Sequence, residues 1–176
     1  MSFTWREIWT IVHGMVLGGL LLLGFPGVIV GFWNLRTNRL EAAATDKQIR
    51  TLFTCLVFLT GLAWMIVIFG TYFPYAWYRA TPPAGADLTQ YPMFYLLSKP
   101  GFGFWEEYGM EWKEHLAWFV PILLTVVTFI FGRYRGKLLE EPGVRKALMV
   151  FLMIAFAASA VSGFLGAFVT KIAPVR

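Results

Sequence analysis

Residues 52–73 read LFTCLVFLTGLAWMIVIFGTYF, an apolar run without a single Asp, Glu, Lys or Arg, closed by Pro74. At 1.5 Å per residue such a run makes a helix roughly 33 Å long, which matches the hydrocarbon thickness of a bilayer. Three more runs of this kind surround it, at about 8–33, 115–131 and 147–170. The chain is therefore expected to be an all-α integral membrane protein. We predict a single transmembrane domain over residues 1–176, built as a four-helix bundle, because only helices or closed barrels satisfy every backbone polar group in lipid.

Composition agrees. The 176 residues are 58% hydrophobic and 14% charged, against about 45–50% apolar and 25% charged in soluble domains. The net charge of +5 does not call for nucleic acid, because basic cytoplasmic loops give a membrane protein the same balance. Cys55 is the lone cysteine, so no internal disulfide or CxxC pair is available. The first run reads as a mature helix and not a signal peptide: it is long, flanked by Trp5, Glu7 and Trp9, and followed by no A-x-A site.

With four spans, both termini and the segment 75–114 share one side, while loops 34–51 and 132–146 share the other. The two loops carry nine bases (Arg36, Arg39, Lys47, Arg50, Arg133, Arg135, Lys137, Arg145 and Lys146), against six on the opposite side (Arg6, Arg79, Lys99, Lys113, Lys171 and Arg176). The positive-inside rule makes the loops cytoplasmic and the termini external, as in a prokaryotic plasma (inner) membrane with a periplasmic face. Pro82, Pro83, Pro92 and Pro100 mix with Tyr75, Trp77, Tyr78, Tyr91, Phe94 and Tyr95 in the external segment. That mixture predicts an ordered cap of about 40 residues at headgroup level. Pro26 and Pro121 are expected to kink the first and third helices.

Chemistry has few carriers. The chain holds two histidines, His13 and His115, and the topology places them at comparable depth near the external face, on the first and third helices. Two neutral imidazoles projecting into a bundle are the axial pair that one haem b needs. Phase at 100° per residue continues the His13 face through Leu17, Leu20, Gly24, Gly27 and Gly31. It gives His115 a wall of Trp112, Phe119, Ile122, Val126 and Phe129, and gives the fourth helix a small-residue stripe of Ala155, Ser159, Gly163 and Ala167, with Ser162 and Gly166 beside it. Arg6, Arg79 and Lys113 are candidate contacts for haem propionates. The same features also suit plain helix packing and interfacial anchoring.

Copper held by the histidines with Met15 or Met110 is a weaker alternative, and zinc lacks enough ligands. Glu106, Glu107, Glu111 and Glu114 precede His115 and form either a docking patch for a basic soluble electron carrier or a solvated helix face. The spans carry no midplane charge, which argues against a transporter. No Gly-x-Ser-x-Gly, His-Glu-x-x-His or nucleotide-binding glycine motif is present.

One histidine on each of two helices in a four-helix plan resembles small membrane cytochromes b and the haem-bearing membrane anchors of quinone-linked dehydrogenases. The resemblance rests on His13, His115 and topology. It implies one bis-histidine haem b, electron exchange with quinone, and other membrane subunits as partners, in surrounding membrane lipid. From another class, a cofactor-free structural or assembly subunit of a larger membrane complex fits the small-residue faces and the aromatic cap.

Overall fold

The computed structural model describes residues 3–36 and 42–175, and its regular elements are all helical. Helix α1 joins Trp5–Ile11, a π-helical turn Val12–Leu17 and Gly18–Arg36. Helix α2 is Ala42–Tyr72, α3 joins the π-helical turn Trp105–Met110 to Glu111–Tyr134, and α4 is Pro142–Ile172. Arg39 and Arg176 lie outside the described residues, as does the side chain of Arg36.

Among the described residues four stretches are long and apolar enough to cross a membrane: Trp5–Leu35, Asp46–Tyr78, Trp105–Leu139 and Pro142–Ile172. Each is longer than its hydrophobic run. The third starts at Trp105, ten residues before its hydrophobic run, so the last ten residues of the expected cap segment are helical. Its charged first turns continue the helix because ionised groups near a bilayer boundary reach water, and hydropathy does not register that. For the same reason α2 begins inside the expected loop 34–51, and α3 with the 3-10 turn Arg135–Leu139 takes up most of 132–146.

Local sequence explains the ends. Thr4 caps α1 by accepting from the Glu7 amide, while Glu7 accepts from the Thr4 amide at 2.8 Å, a reciprocal capping box. Pro142 opens α4 at a position where no amide donor is needed. The helices run on through Pro26 and Pro121.

α1 packs on α2 and α4, and α3 packs on the same two, so α1 and α3 lie on one diagonal of the bundle. The core comes from Leu21, Phe25, Val28 and Phe32 of α1, Leu52, Leu56, Leu59 and Ala63 of α2, Val120, Leu124, Val127 and Phe131 of α3, and Leu148, Leu152 and Ala155 of α4. Their spacing alternates four and three, the knobs-into-holes repeat of helix bundles. At the other end a smaller cluster of Tyr78, Leu96, Met110, Val169 and Ala173 ties the short helices Pro74–Tyr78 and Pro92–Ser98 to α3 and α4. The expected cap is therefore ordered. Gly85 and Gly101 make its turns at φ +79° and +80°, where a Cβ is disfavoured. Val175, Trp5–Ile11 and the cap meet at this end, called the cap end below.

Halfway along, α2 and α3 are joined by hydroxyls. Thr60 Oγ1 lies 2.7 Å from Thr128 Oγ1 and donates to the Leu124 carbonyl at 3.3 Å; Trp64 Nε1 donates to Thr125 Oγ1 at 3.0 Å. Interhelical hydrogen bonds in lipid contribute about 0.6 kcal/mol each, with a maximum near 1.7. Thr60→Val is thus expected to destabilise the bundle by about 1 kcal/mol in reversible unfolding from detergent micelles, and no change would mean that packing alone holds this pair of helices.

Candidate functional site

The polar groups converge at the cap end. His13 sits in the π-helical turn of α1, the first structural mark of a site, since single π-turns recur at functional positions. Its ring lies 6.1 Å from that of Phe69, at 27° between planes, and a Cβ on Gly70 would approach His13 Cε1 to 2.5 Å. Glycine at 70 is what lets the imidazole reach the α2 backbone. Nδ1 of His13 is buried and has no hydrogen-bond partner.

The wide turn also moves the register. A π-turn takes one extra residue, so the His13 face continues through Leu17 to Leu21, Phe25, Val28 and Phe32, all four buried. The expected face through Leu20 and Gly27 is one residue off, and Leu20 is 52% exposed. Gly24 and Gly31 instead receive Leu59 and Leu52 of α2, each within 3 Å of a would-be Cβ. On α4 the interior positions are Ala155, Ser159, Ser162 and half-buried Gly166, while Gly163 and Ala167 are exposed.

Lys113 is the second element of the site. Two positions before His115, it falls on the opposite side of α3, in line with Val120, Leu124, Val127 and Phe131 of the core. Its aliphatic stem lies on α4, with Cε 2.9 Å from where a Gly166 Cβ would stand. Among the described residues no carboxylate lies within ion-pair distance of its amine. Ser162, one turn before Gly166, has a buried Oγ with no hydrogen-bond partner. An imidazole, an amine and a hydroxyl thus come from α1, α3 and α4 at the cap end of an otherwise apolar core.

Nearer the surface, Tyr75 donates to Glu114 Oε2 at 2.8 Å, and Arg79 donates to Glu111 Oε1 at 3.0 Å while standing 3.8 Å from Glu114 Oε1. The Arg79 guanidinium lies 5.0 Å over the Tyr75 ring. Glu106 is 7% exposed, and Glu107 alone of the four glutamates is exposed on the outer face of its turn. Two of the four glutamates, Glu111 and Glu114, therefore tie the cap to α3.

The other expected site residues are placed differently from the sequence reading. His115 is exposed, and its Nδ1 lies 2.7 Å from the Glu111 carbonyl. A carbonyl only accepts, so Nδ1 is the donor in this contact and Nε2 is left outside it. The companions Trp112, Phe119, Ile122, Val126 and Phe129 are exposed with it, Phe129 at 73%, and form the outward face of α3. His13 and His115 do not face each other within the chain, and the wall expected to shield a porphyrin lies on the outside of the bundle. Lys113 points inward and Arg79 is held by glutamates, so neither is disposed toward a propionate at the surface; Arg6 is exposed on the first turn of α1. Met15 is exposed and Met110 packs in the cap cluster, apart from each other.

Sequence reasoning named Lys113 as a surface contact for a propionate and Ser162 as a neighbour of the small-residue stripe, and did not place either side chain in the interior. Their signal was available as spacing: 113, 120, 124, 127 and 131 share one face, as do 155, 159, 162 and 166. Compared with protein-family models, with curated proteins and with solved structures, the chain has no match, so the reading of the site rests on its own geometry.

Proposed function

We propose that this chain is a membrane-embedded electron-transfer subunit that handles a quinone at the cap end of the bundle. The observation that supports it is that three helices each bring a polar side chain inward toward the cap end of an apolar core: His13 against Gly70, Lys113 against Gly166, and Ser162 with a buried, unpartnered hydroxyl. A quinone headgroup is a flat apolar ring with two carbonyl acceptors, and it takes hydrogen bonds from an amine, a hydroxyl or an imidazole N–H. A buried cation beside those carbonyls favours the anionic, reduced forms, because low dielectric strengthens the attraction. Ionisable groups inside a membrane bundle are costly to keep, which argues for use.

The haem expectation takes a changed form under this proposal. Two imidazoles that face different ways do not fit one iron inside a single chain. His115, on the outward face of α3 with Nε2 outside the Glu111 contact, would ligate a haem b held between this chain and a neighbouring membrane subunit. An external orientation of the cap end, on the positive-inside argument, puts this chemistry within reach of a soluble electron carrier.

The test has two arms on the detergent-purified protein. A short-chain naphthoquinone titrated against tryptophan fluorescence is expected to bind, with affinity lowered roughly fivefold in Ser162→Ala, as loss of one hydrogen bond predicts, and further in His13→Ala. A pyridine haemochrome spectrum of the protein isolated with its membrane partners is expected to show b-type haem that His115→Ala removes and His13→Ala retains. The second reading is the cofactor-free assembly subunit, favoured by a bundle centre already filled by Phe25, Phe32, Phe131, Leu56 and Leu124, all fully buried. Absence of both quinone binding and colour would sink the electron-transfer reading in its favour.

A further inference from the structure

At the end opposite the His13 site, α2 and the 3-10 turn after α3 border an open surface groove of about 410 Å³ lined by Asp46, Arg50, Phe53, Thr54, Arg135 and Gly136, among others. Its construction is specific. Gly132 of α3 lets the Phe53 ring lie against the helix backbone, since a Cβ there would stand 2.7 Å from Phe53 Cε2. The Arg135 guanidinium sits 5.1 Å over that ring, and its Nε donates to the Gly132 carbonyl at 3.2 Å. Arg135 holds this pose at φ +41°, the sole non-glycine residue with positive φ among those described. Left-handed backbone costs a Cβ-bearing residue on the order of 1–2 kcal/mol, so the guanidinium is placed here against the local preference of the chain. Arg50 contributes a second guanidinium, paired with Asp46 one turn earlier, and Thr54 adds a hydroxyl bonded to the Arg50 carbonyl. The Asp46 carboxylate pairs with Arg50, so the lining as a whole carries one positive charge in excess.

Phe53 and Ile49 are the first apolar layer of α2, and Arg135 follows the last residue of α3. We propose that this groove is a binding site for the phosphate of an anionic phospholipid, with Arg135 and Arg50 as the cationic contacts and Phe53 as an apolar floor beneath the glycerol backbone. Guanidiniums suit phosphate because their fork matches two of its oxygens. Basic pockets between membrane helices on the positive side are where anionic headgroups are held. The site is independent of the quinone reading.

Native mass spectrometry of the full chain in detergent tests it, with phosphatidylglycerol, phosphatidylcholine of the same acyl chains, and inorganic phosphate as probes. Phosphatidylglycerol is expected to bind in preference to phosphatidylcholine, with affinity falling roughly fivefold in Arg50→Gln and similarly in Arg135→Gly, as for the loss of one interfacial base. Arg135→Gly separates site from fold: glycine accepts φ +41° without strain, so its melting temperature should hold or rise while lipid is lost. Equal binding of the two lipids, or native affinity in Arg135→Gly, would overturn the proposal. Displacement of phosphatidylglycerol by millimolar inorganic phosphate at that groove would replace the lipid headgroup with free phosphate as the ligand and overturn it as well.

Discussion

Phe131→Ala is expected to lower the stability of the bundle by about 2–3 kcal/mol, whereas Phe129→Ala, two residues earlier on the same helix, should change it by less than about 0.5 kcal/mol. Phe131 is fully buried, with its ring 5.3 Å from Phe32 of α1 in an edge-on pose and 6.4 Å from the parallel ring of Phe53 of α2. Removing it opens a cavity where three helices meet. In water the usual cost of such a truncation is about 3–5 kcal/mol, part of it the return of apolar surface to solvent. In a bilayer that part is small, because lipid is as apolar as the core, and lost dispersion contacts with the unfilled cavity remain. Phe129 is 73% exposed and meets lipid in either state. Reversible unfolding of both variants in matched micelles measures the difference; equal losses would mean that the outward face of α3 is itself a packed interface.

The pair also explains what could be read in advance. Four spans, an ordered aromatic cap and the shared end of both termini followed from run length and from Pro and Gly punctuation, because lipid thickness imposes a length that any sequence must meet. Facing was much harder to read. In water the apolar stripe of a helix marks its buried side, but in lipid Phe129 and Phe131 are equally apolar and periodicity loses its contrast. Phase therefore had to be started from a chosen residue. Starting from His115 selected the outward side of α3, and starting from His13 ran through a π-turn that ideal 100° stepping does not contain. Polar residues keep their contrast in lipid: Lys113, Ser162 and the Thr60–Thr128 pair all lie on inward faces. They are the better origin for phase, and from Lys113 the step runs to Val120, Leu124, Val127 and Phe131 of the core.

Lys113→Met is expected to raise stability by about 1–3 kcal/mol while weakening quinone binding. The lysine stem covers Gly166, and its amine is drawn into the bundle without an ion-paired carboxylate among the described residues. Replacing a buried charge by an apolar side chain of similar volume is commonly neutral or stabilising, by up to about 4 kcal/mol. Methionine has nearly the length of lysine and the flexibility to lie on the same glycine, so the substitution removes charge without opening a void. For a chain of this size the gain corresponds to a rise in melting temperature of about 3–10 °C. A residue kept at a cost to the fold and needed at a site should show both effects at once, the usual opposition between stability and activity. A lower melting temperature would instead mean that the amine holds the helices together, and native quinone affinity in a stabilised Lys113→Met would remove Lys113 from the site. The same measurement on Gly166→Ala provides the steric counterpart: a new methyl 2.9 Å from Lys113 Cε displaces the end of a flexible side chain, so it should shift quinone affinity with little change in melting temperature.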